Sequence, residues 1–205
     1  HYWANWCLCN IAAKMAIGIV TDRRDIYNEG IGHLQTGDTN GRLRRAIYHD
    51  YAPDYNFAQW QESGRDQGHT LMCVGLMGVI CQMCIRDRSQ GDDFFAYDDN
   101  LFMRACEYAA CCNYTNETVP YTTYIWQKQS QWGYPIPEEQ TTLGGGKWIK
   151  RAIWALPYYH YKGVKNISDD NLKYTKIATE YVGIEGGGGY YDANSGGYDV
   201  LGLGT

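Results

Sequence analysis

Basic charge is what this sequence has too little of. Its 18 Lys and Arg stand against 23 Asp and Glu, a formal net charge of −5. A general nucleic-acid binder neutralises phosphates with clustered cations, so the overall charge argues against that class. Apolar runs of membrane length are also missing: no stretch is expected to reach the roughly 20 residues of a span. No basic start leads into a short apolar segment of signal-peptide type. The absence of internal repeats disfavours a regular solenoid, and strand-like alternation is sparse. No group of His and carboxylates has metal-ligand spacing, so neither a metal nor a cofactor is expected.

Cysteine is not scarce, but its spacing excludes the usual frameworks. Cys7, Cys9, Cys73, Cys81, Cys84, Cys106, Cys111 and Cys112 fall mostly inside helical apolar stretches. The Cys-x-x-Cys at Cys81 and Cys84 has no second pair at zinc-finger or ribbon distance. Buried, inert thiols are the expectation.

What is present is helical periodicity. Apolar residues recur at helix spacing over 3–20, 26–34, 43–51, 70–84, 101–114, 148–161 and 172–182. Between them lie turn-rich connectors such as "TGDTNG", "SQGDD" and "YPIPEEQTTLGGG". With 205 residues and 44% hydrophobic content, one mainly α domain over 1–205, built of helical hairpins, is expected. The chain opens inside an amphipathic stretch with no cap before it, which reads as a piece of a larger protein cut at its N-terminus and, by the same expectation, at its C-terminus. The glycine-rich end carries Tyr190, Tyr191, Tyr198 and Leu201, too apolar for a linker, and reads as an ordered loop lining a cleft. Seven Trp and nineteen Tyr suit either buried interfaces or flat sugar rings. Asn113, Asn116 and Asn166 begin glycosylation-acceptor triplets.

The hexapeptide "MCIRDR" at 83–88 has two readings. Arg86 and Arg88 favour a helix C-terminus electrostatically. The same six residues are also what a transposase end sequence used in sequencing libraries encodes, and the codons in genomic DNA decide between the two.

The chemistry concentrates in "QESGRDQGHT", residues 61–70, just ahead of the apolar run "LMCVGLMGVIC". Asp66 and Gln67 occupy N-cap and first-turn positions, which explains their polarity. Arg65 and His69 do not fit that account, because a helix N-terminus opposes cations unless an anion is held there. An anionic ligand is the expectation.

That decapeptide, with "NW" at 5–6, "AIGIVTDRRDIYNEGI", "GDDFFAYDDN", "EYAACCNYTNETVPY", "RAIWALPYYHY" and "EGGGGYYDANSGGYDVLGLGT", resembles the alginate-lyase-domain polysaccharide lyases, in order and over essentially the whole chain. The decapeptide and the glycine-rich end are its most specific parts. The resemblance implies an incomplete α/α toroid, helical hairpins around a central cleft, that cleaves an anionic uronate polysaccharide by β-elimination. It also implies a periplasmic or secreted address; that no nucleic acid and no membrane span are expected follows from the charge and the apolar runs above.

Elimination removes the C5 proton of a uronic acid, and the neighbouring carboxylate must first be neutralised by donors such as Asn, His or Arg. A tyrosine can serve as base and then acid if nearby cations lower its ordinary pKa of about 10. The resemblance assigns base and acid to Tyr158, charge stabilisation to Arg151, and carboxylate neutralisation to His69 and Asn5. Arg151 and Tyr158 are seven residues apart, so a continuous helix would put them on one face, although Pro157 interrupts it. Ala152, Ala155 and Tyr159 stand where the family tends to have Pro, Glu and Asn, which leaves Tyr159 and Tyr161 as alternative acid/base groups. Arg65, Trp6, Trp154, Tyr159, His160, Tyr190 and Asn194 are the substrate-contact candidates, Arg65 being read first as an ion-pair partner of Glu62 or Asp66. Two rival readings remain: a glycoside hydrolase using carboxylates such as Glu62, Asp66 and Asp192, and a non-catalytic carbohydrate-binding relative.

Overall fold

The computed structural model describes residues 2–87, 92–126 and 138–183. Seven helices carry these residues: α1 (Ala4–Val20), α2 (Arg24–Thr36), α3 (Leu43–Ala46), α4 (Gln67–Arg86), α5 (Tyr97–Tyr114), α6 (Ala155–Tyr159) and α7 (Lys173–Val182). Two short antiparallel ribbons complete them, β1 (Ile47–Asp50) with β2 (Ala58–Trp60) and β3 (Tyr124–Trp126) with β4 (Glu138–Gln140). The expectation of a mainly helical chain holds.

α1 and α2 form a tight hairpin, α1 lies on α4, α4 on α5, and α5 on α7. Gly18 is the contact point of the hairpin: a Cβ there would stand 2.6 Å from the Tyr27 backbone nitrogen. α4 is the central element. Its Leu71, Val74, Met77, Ile80 and Cys81 are fully buried, against Leu8 and Met15 of α1 and Phe102, Ala105 and Cys106 of α5 in one continuous core. By length and hydropathy α4 could cross a membrane, so the expectation that no run is long enough fails; in this fold it is mostly buried.

Two expected helices are cut short. Over 43–51 only one helical turn forms before the chain extends into β1, where Ile47 pairs with Trp60, His49 with Gln59 and Asp50 with Ala58 around a bulge. β-branched and aromatic residues suit that half-buried ribbon better than a helix. Over 148–161 the helix begins only at Ala155. Pro157 has no amide to give to a preceding turn and its ring would collide there, but in a first turn it is harmless because those amides lack helical partners. Upstream, Trp148 takes a left-handed φ of 59°. Arg151 therefore lies outside the helix that carries Tyr158, and the two do not share a helix face.

All eight cysteines are free, six of them buried as expected; Cys9 is exposed and Cys7 half-buried. Asn113 is buried and donates to Gln67 Oε1 at 3.0 Å and to the Ala109 carbonyl at 3.0 Å, so the folded chain offers no acceptor there, whereas Asn116 and Asn166 are exposed.

Candidate active site

The heads of α1 and α4 meet, and the 3-10 turn Gln61–Gly64 joins them. α1 has no local side-chain cap. Instead Gln61 Oε1 accepts the Ala4 amide at 2.9 Å and Glu62 Oε1 accepts the Asn5 amide at 3.0 Å, across 57 residues of sequence. Glu62 is thus a buried carboxylate at the positive end of α1, a favourable place for negative charge. Burial pushes its carboxyl up, opposed by the Asn5 amide, Arg65 and His69.

α4 is capped as its sequence suggests. Asp66 Oδ1 accepts the His69 amide at 2.8 Å, and Asp66 Oδ2 takes the His69 ring Nδ1 at 2.5 Å. Burial raises the Asp66 carboxyl, but the His69 bonds and the charges of His69 and Arg65 outweigh it and hold it below the usual range. Arg65 reaches Glu62 Oε2 at 3.4 Å, and its guanidinium lies over the Trp3 ring at 5.2 Å. The local carboxylates therefore already answer Arg65 and His69, so the cations do not by themselves demand an anionic ligand.

A glycine loop seals the underside. The Gly144 amide donates to the Ser63 carbonyl at 2.8 Å and the Gln67 amide to the Gly145 carbonyl at 2.9 Å. A Cβ on Gly144 would fall 2.5 Å from the Arg65 carbonyl carbon, so backbone meets backbone there. To one side an aromatic wall rises: Trp3 and Tyr48 both contact Tyr124, at 6.1 and 4.9 Å between ring centres. Trp6 is 58% exposed on the first turn of α1, 6.1 Å from Tyr2.

The expected site residues divide into two groups. Asn5, Arg65 and His69 gather at the α1–α4 junction, while Trp6 stands exposed on the first turn of α1 beside Tyr2. Asn5 lies under the rim at 3% exposure, with Oδ1 buried and without a hydrogen-bond partner, so it backs the site instead of touching a ligand. Tyr158, Tyr159 and His160 sit further along α4: Ile153 lies against Gly75 and Leu156 against Gly78, nine residues or about 13 Å beyond His69 along the helix axis. The Tyr158 hydroxyl contacts Asp169 Oδ1 at 3.3 Å and accepts from Lys162 Nζ at 3.2 Å. The cation in hydrogen-bond contact with the tyrosine is thus Lys162. Arg151 is buried between these groups in sequence order, two residues after Ile149, whose carbonyl binds the Tyr114 hydroxyl at 2.6 Å.

Two substrate-contact candidates are corrected. Trp154 is fully buried and donates to Tyr114 Oη at 3.0 Å, which makes it core. His160 is buried and stacks on Phe95 at 3.7 Å, with burial pushing its pKa down, which makes it a packing residue. Tyr159 is half exposed and available. Tyr190, Asn194 and Asp192 lie outside the described residues. Sequence reasoning missed Gln61 and Glu62 as caps of α1, and missed Trp3, Tyr48 and Tyr124 as a wall; pairings across so many residues leave no local signal. Among the described residues no group of His, Cys, Asp and Glu could hold a metal. The chain matches no family model, no curated protein and no solved structure.

Proposed function

We propose that the chain is the catalytic domain of a polysaccharide lyase, an incomplete α/α toroid that cleaves a uronate polymer such as alginate or glucuronan by β-elimination, in the periplasm or outside the cell. One observation supports the reading most: a half-exposed histidine, with its Nδ1 bound to Asp66 Oδ2, shares that oxygen with Arg65, whose guanidinium lies over the Trp3 ring. Arginine carries five N–H donors, and Arg65 turns only one toward Glu62 within hydrogen-bond distance. The others are suited to a sugar carboxylate.

In this mechanism Arg65 meets the C6 carboxylate and stabilises the charge that develops next to it. His69 Nε2 removes the C5 proton. The C–H electron pair forms the C4=C5 double bond as the C4–O4 bond breaks, and the departing O4 takes up a proton from the His69 imidazolium, which returns the base to its starting form. The product carries an unsaturated uronate that absorbs in the near ultraviolet.

The resemblance gives the base role to Tyr158, and Lys162 supplies the cation such a tyrosine needs. Position favours His69, since it meets Arg65 at the same Asp66 carboxylate, whereas the residues ahead of Tyr158 pack against Gly75 and Gly78 further along α4. Absorbance-monitored turnover of uronate polymers separates the two. His69→Gln is expected to lower kcat by about 10²–10⁴, the usual weight of general acid–base catalysis, with Tyr158→Phe within tenfold of the parent. The opposite ranking returns the base to Tyr158. Chain cleavage without near-ultraviolet product is hydrolysis, and binding without cleavage is a carbohydrate-binding module. Hydrolysis has less support, because Glu62 and Asp66 are both occupied as helix caps.

A further inference from the structure

His69 occupies the third position of α4, and its ring reaches back to the side chain of the residue that caps the helix. Asp66 is therefore shared: one oxygen holds the helix amide and the other holds the imidazole. An acceptor-only carboxylate facing Nδ1 requires a proton on that nitrogen and leaves Nε2 as the ring nitrogen with a lone pair. Both bonds pivot on an Asp66 backbone in extended conformation, so turning the ring over would give up the Oδ2 contact.

We propose that Asp66 is a positioning residue, fixing His69 as the Nδ1–H tautomer so that Nε2 faces the open side of the α1–α4 junction as a proton acceptor. The His69 side chain is 32% exposed, so a substrate can reach it. The charged groups that face it are Asp66 on its own segment and Glu62 and Arg65 on the preceding turn. Around these groups the Asn5 amide bonds Glu62, the Trp3 ring lies by Arg65 and Gly144 abuts the Arg65 carbonyl, and none of the three carries charge. Asp66 is thus the one charged group in hydrogen-bond contact with the ring among the described residues. This inference rests on the lyase reading for its catalytic consequence, but the tautomer is a property of the protein alone.

The test uses the whole chain labelled with 15N-histidine and long-range proton–nitrogen correlation at a pH where His69 is neutral. The parent is expected to show a protonated Nδ1 and a bare Nε2. Asp66→Asn keeps a good N-cap, since Asn caps about as well as Asp, but can turn an NH2 toward Nδ1. It is expected to shift His69 toward the Nε2–H form and to cut kcat on a uronate polymer at least a hundredfold, with KM within about threefold and thermal midpoint nearly unchanged. Asp66→Ser, which caps the helix without reaching the ring, provides a second variant with the same expected loss. A parent ring protonated on Nε2, or an Asp66→Asn ring still held as Nδ1–H, overturns the proposal whether or not any polymer is cleaved. A shifted tautomer with full kcat overturns the positioning role. If the tautomer shifts as expected and no uronate polymer is cleaved by the parent, the lyase reading fails and the Asp66 geometry stands.

Discussion

Residue by residue, charge in this chain is used to finish backbone that local structure leaves unfinished. Arg104 is the clearest case. Asp98, Asp99 and Asn100 are all left-handed, with φ of 53°, 52° and 61°. Each such residue costs on the order of 1 kcal/mol, least for Asp and Asn. Arg104 donates to the carbonyls of Asp98 and Asp99 and grips Asp50 with two bonds of 3.0 and 2.8 Å. Burial raises the Asp50 carboxyl, yet Arg104 outweighs it and holds it low. Arg104→Met should cost about 1–3 kcal/mol in urea unfolding, since it leaves the Asp98 and Asp99 carbonyls and the part-buried Asp50 without their shared donor. Asp50→Asn made alongside it should recover part of that loss, because the stranded charge is then gone. A loss under 1 kcal/mol for Arg104→Met would show that the pair does not support the turn. Legibility at this scale was uneven. Asp66 could be read as an N-cap because capping is local, whereas Glu62 could not be read as the cap of α1, since its partner lies 57 residues away.

Among the elements, a recurring device is the helix whose head is capped from a distance. Gln61 and Glu62 do this for α1, and Glu107 does it for α7, accepting the Tyr174 amide at 2.9 Å and the Thr175 amide at 2.8 Å. Glu107 is buried, and burial pushes its carboxyl above the ordinary glutamate range against the pull of those amides and Lys173. The folded state then binds this proton more tightly than the unfolded state, so the Glu107 contribution to stability rises as pH falls from neutral toward the ordinary glutamate value. Glu107→Gln keeps one acceptor and loses the other, a deficit of about 1–3 kcal/mol at neutral pH for one unsatisfied buried amide. That deficit should widen on acidification, with the other carboxylates cancelling between the two proteins. Parallel pH profiles from urea titrations would remove the raised carboxyl from the account. Elements with a periodic apolar face or a long apolar run were legible: α1, α2, α4 and α7 fall within a few residues of expectation. The failures share a cause, in that apolar spacing over 43–51 and 148–161 is equally compatible with a ribbon or an irregular core segment. At 43–51 the long-range pairing with Trp60 decided the outcome, and at 148–161 the missing amide of Pro157 did.

For the molecule as a whole, the site depends on α4 being held between α1 and α5, and the cysteines report on that packing. Cys73, Cys81 and Cys84 lie on α4, and Cys106, Cys111 and Cys112 on α5. Burial pushes all six thiols up, Cys84 to about 12, so none supplies thiolate at neutral pH in the folded state. Cys9 is exposed and Cys7 half-buried under its own burial-raised pKa. Under native conditions an aromatic disulfide reagent should therefore titrate Cys9 quickly, Cys7 slowly and the remaining six only as the chain opens. If residues 1–205 form one cooperative unit, those six become reactive in a single urea transition that coincides with the fluorescence change of the buried Trp60 and Trp154. Release of the α4 thiols at one urea concentration and the α5 thiols at another would divide the chain between these helices. In that case the junction of α1 and α4, with His69 and Arg65, would have to be treated as a separate body from the segment that carries Tyr158.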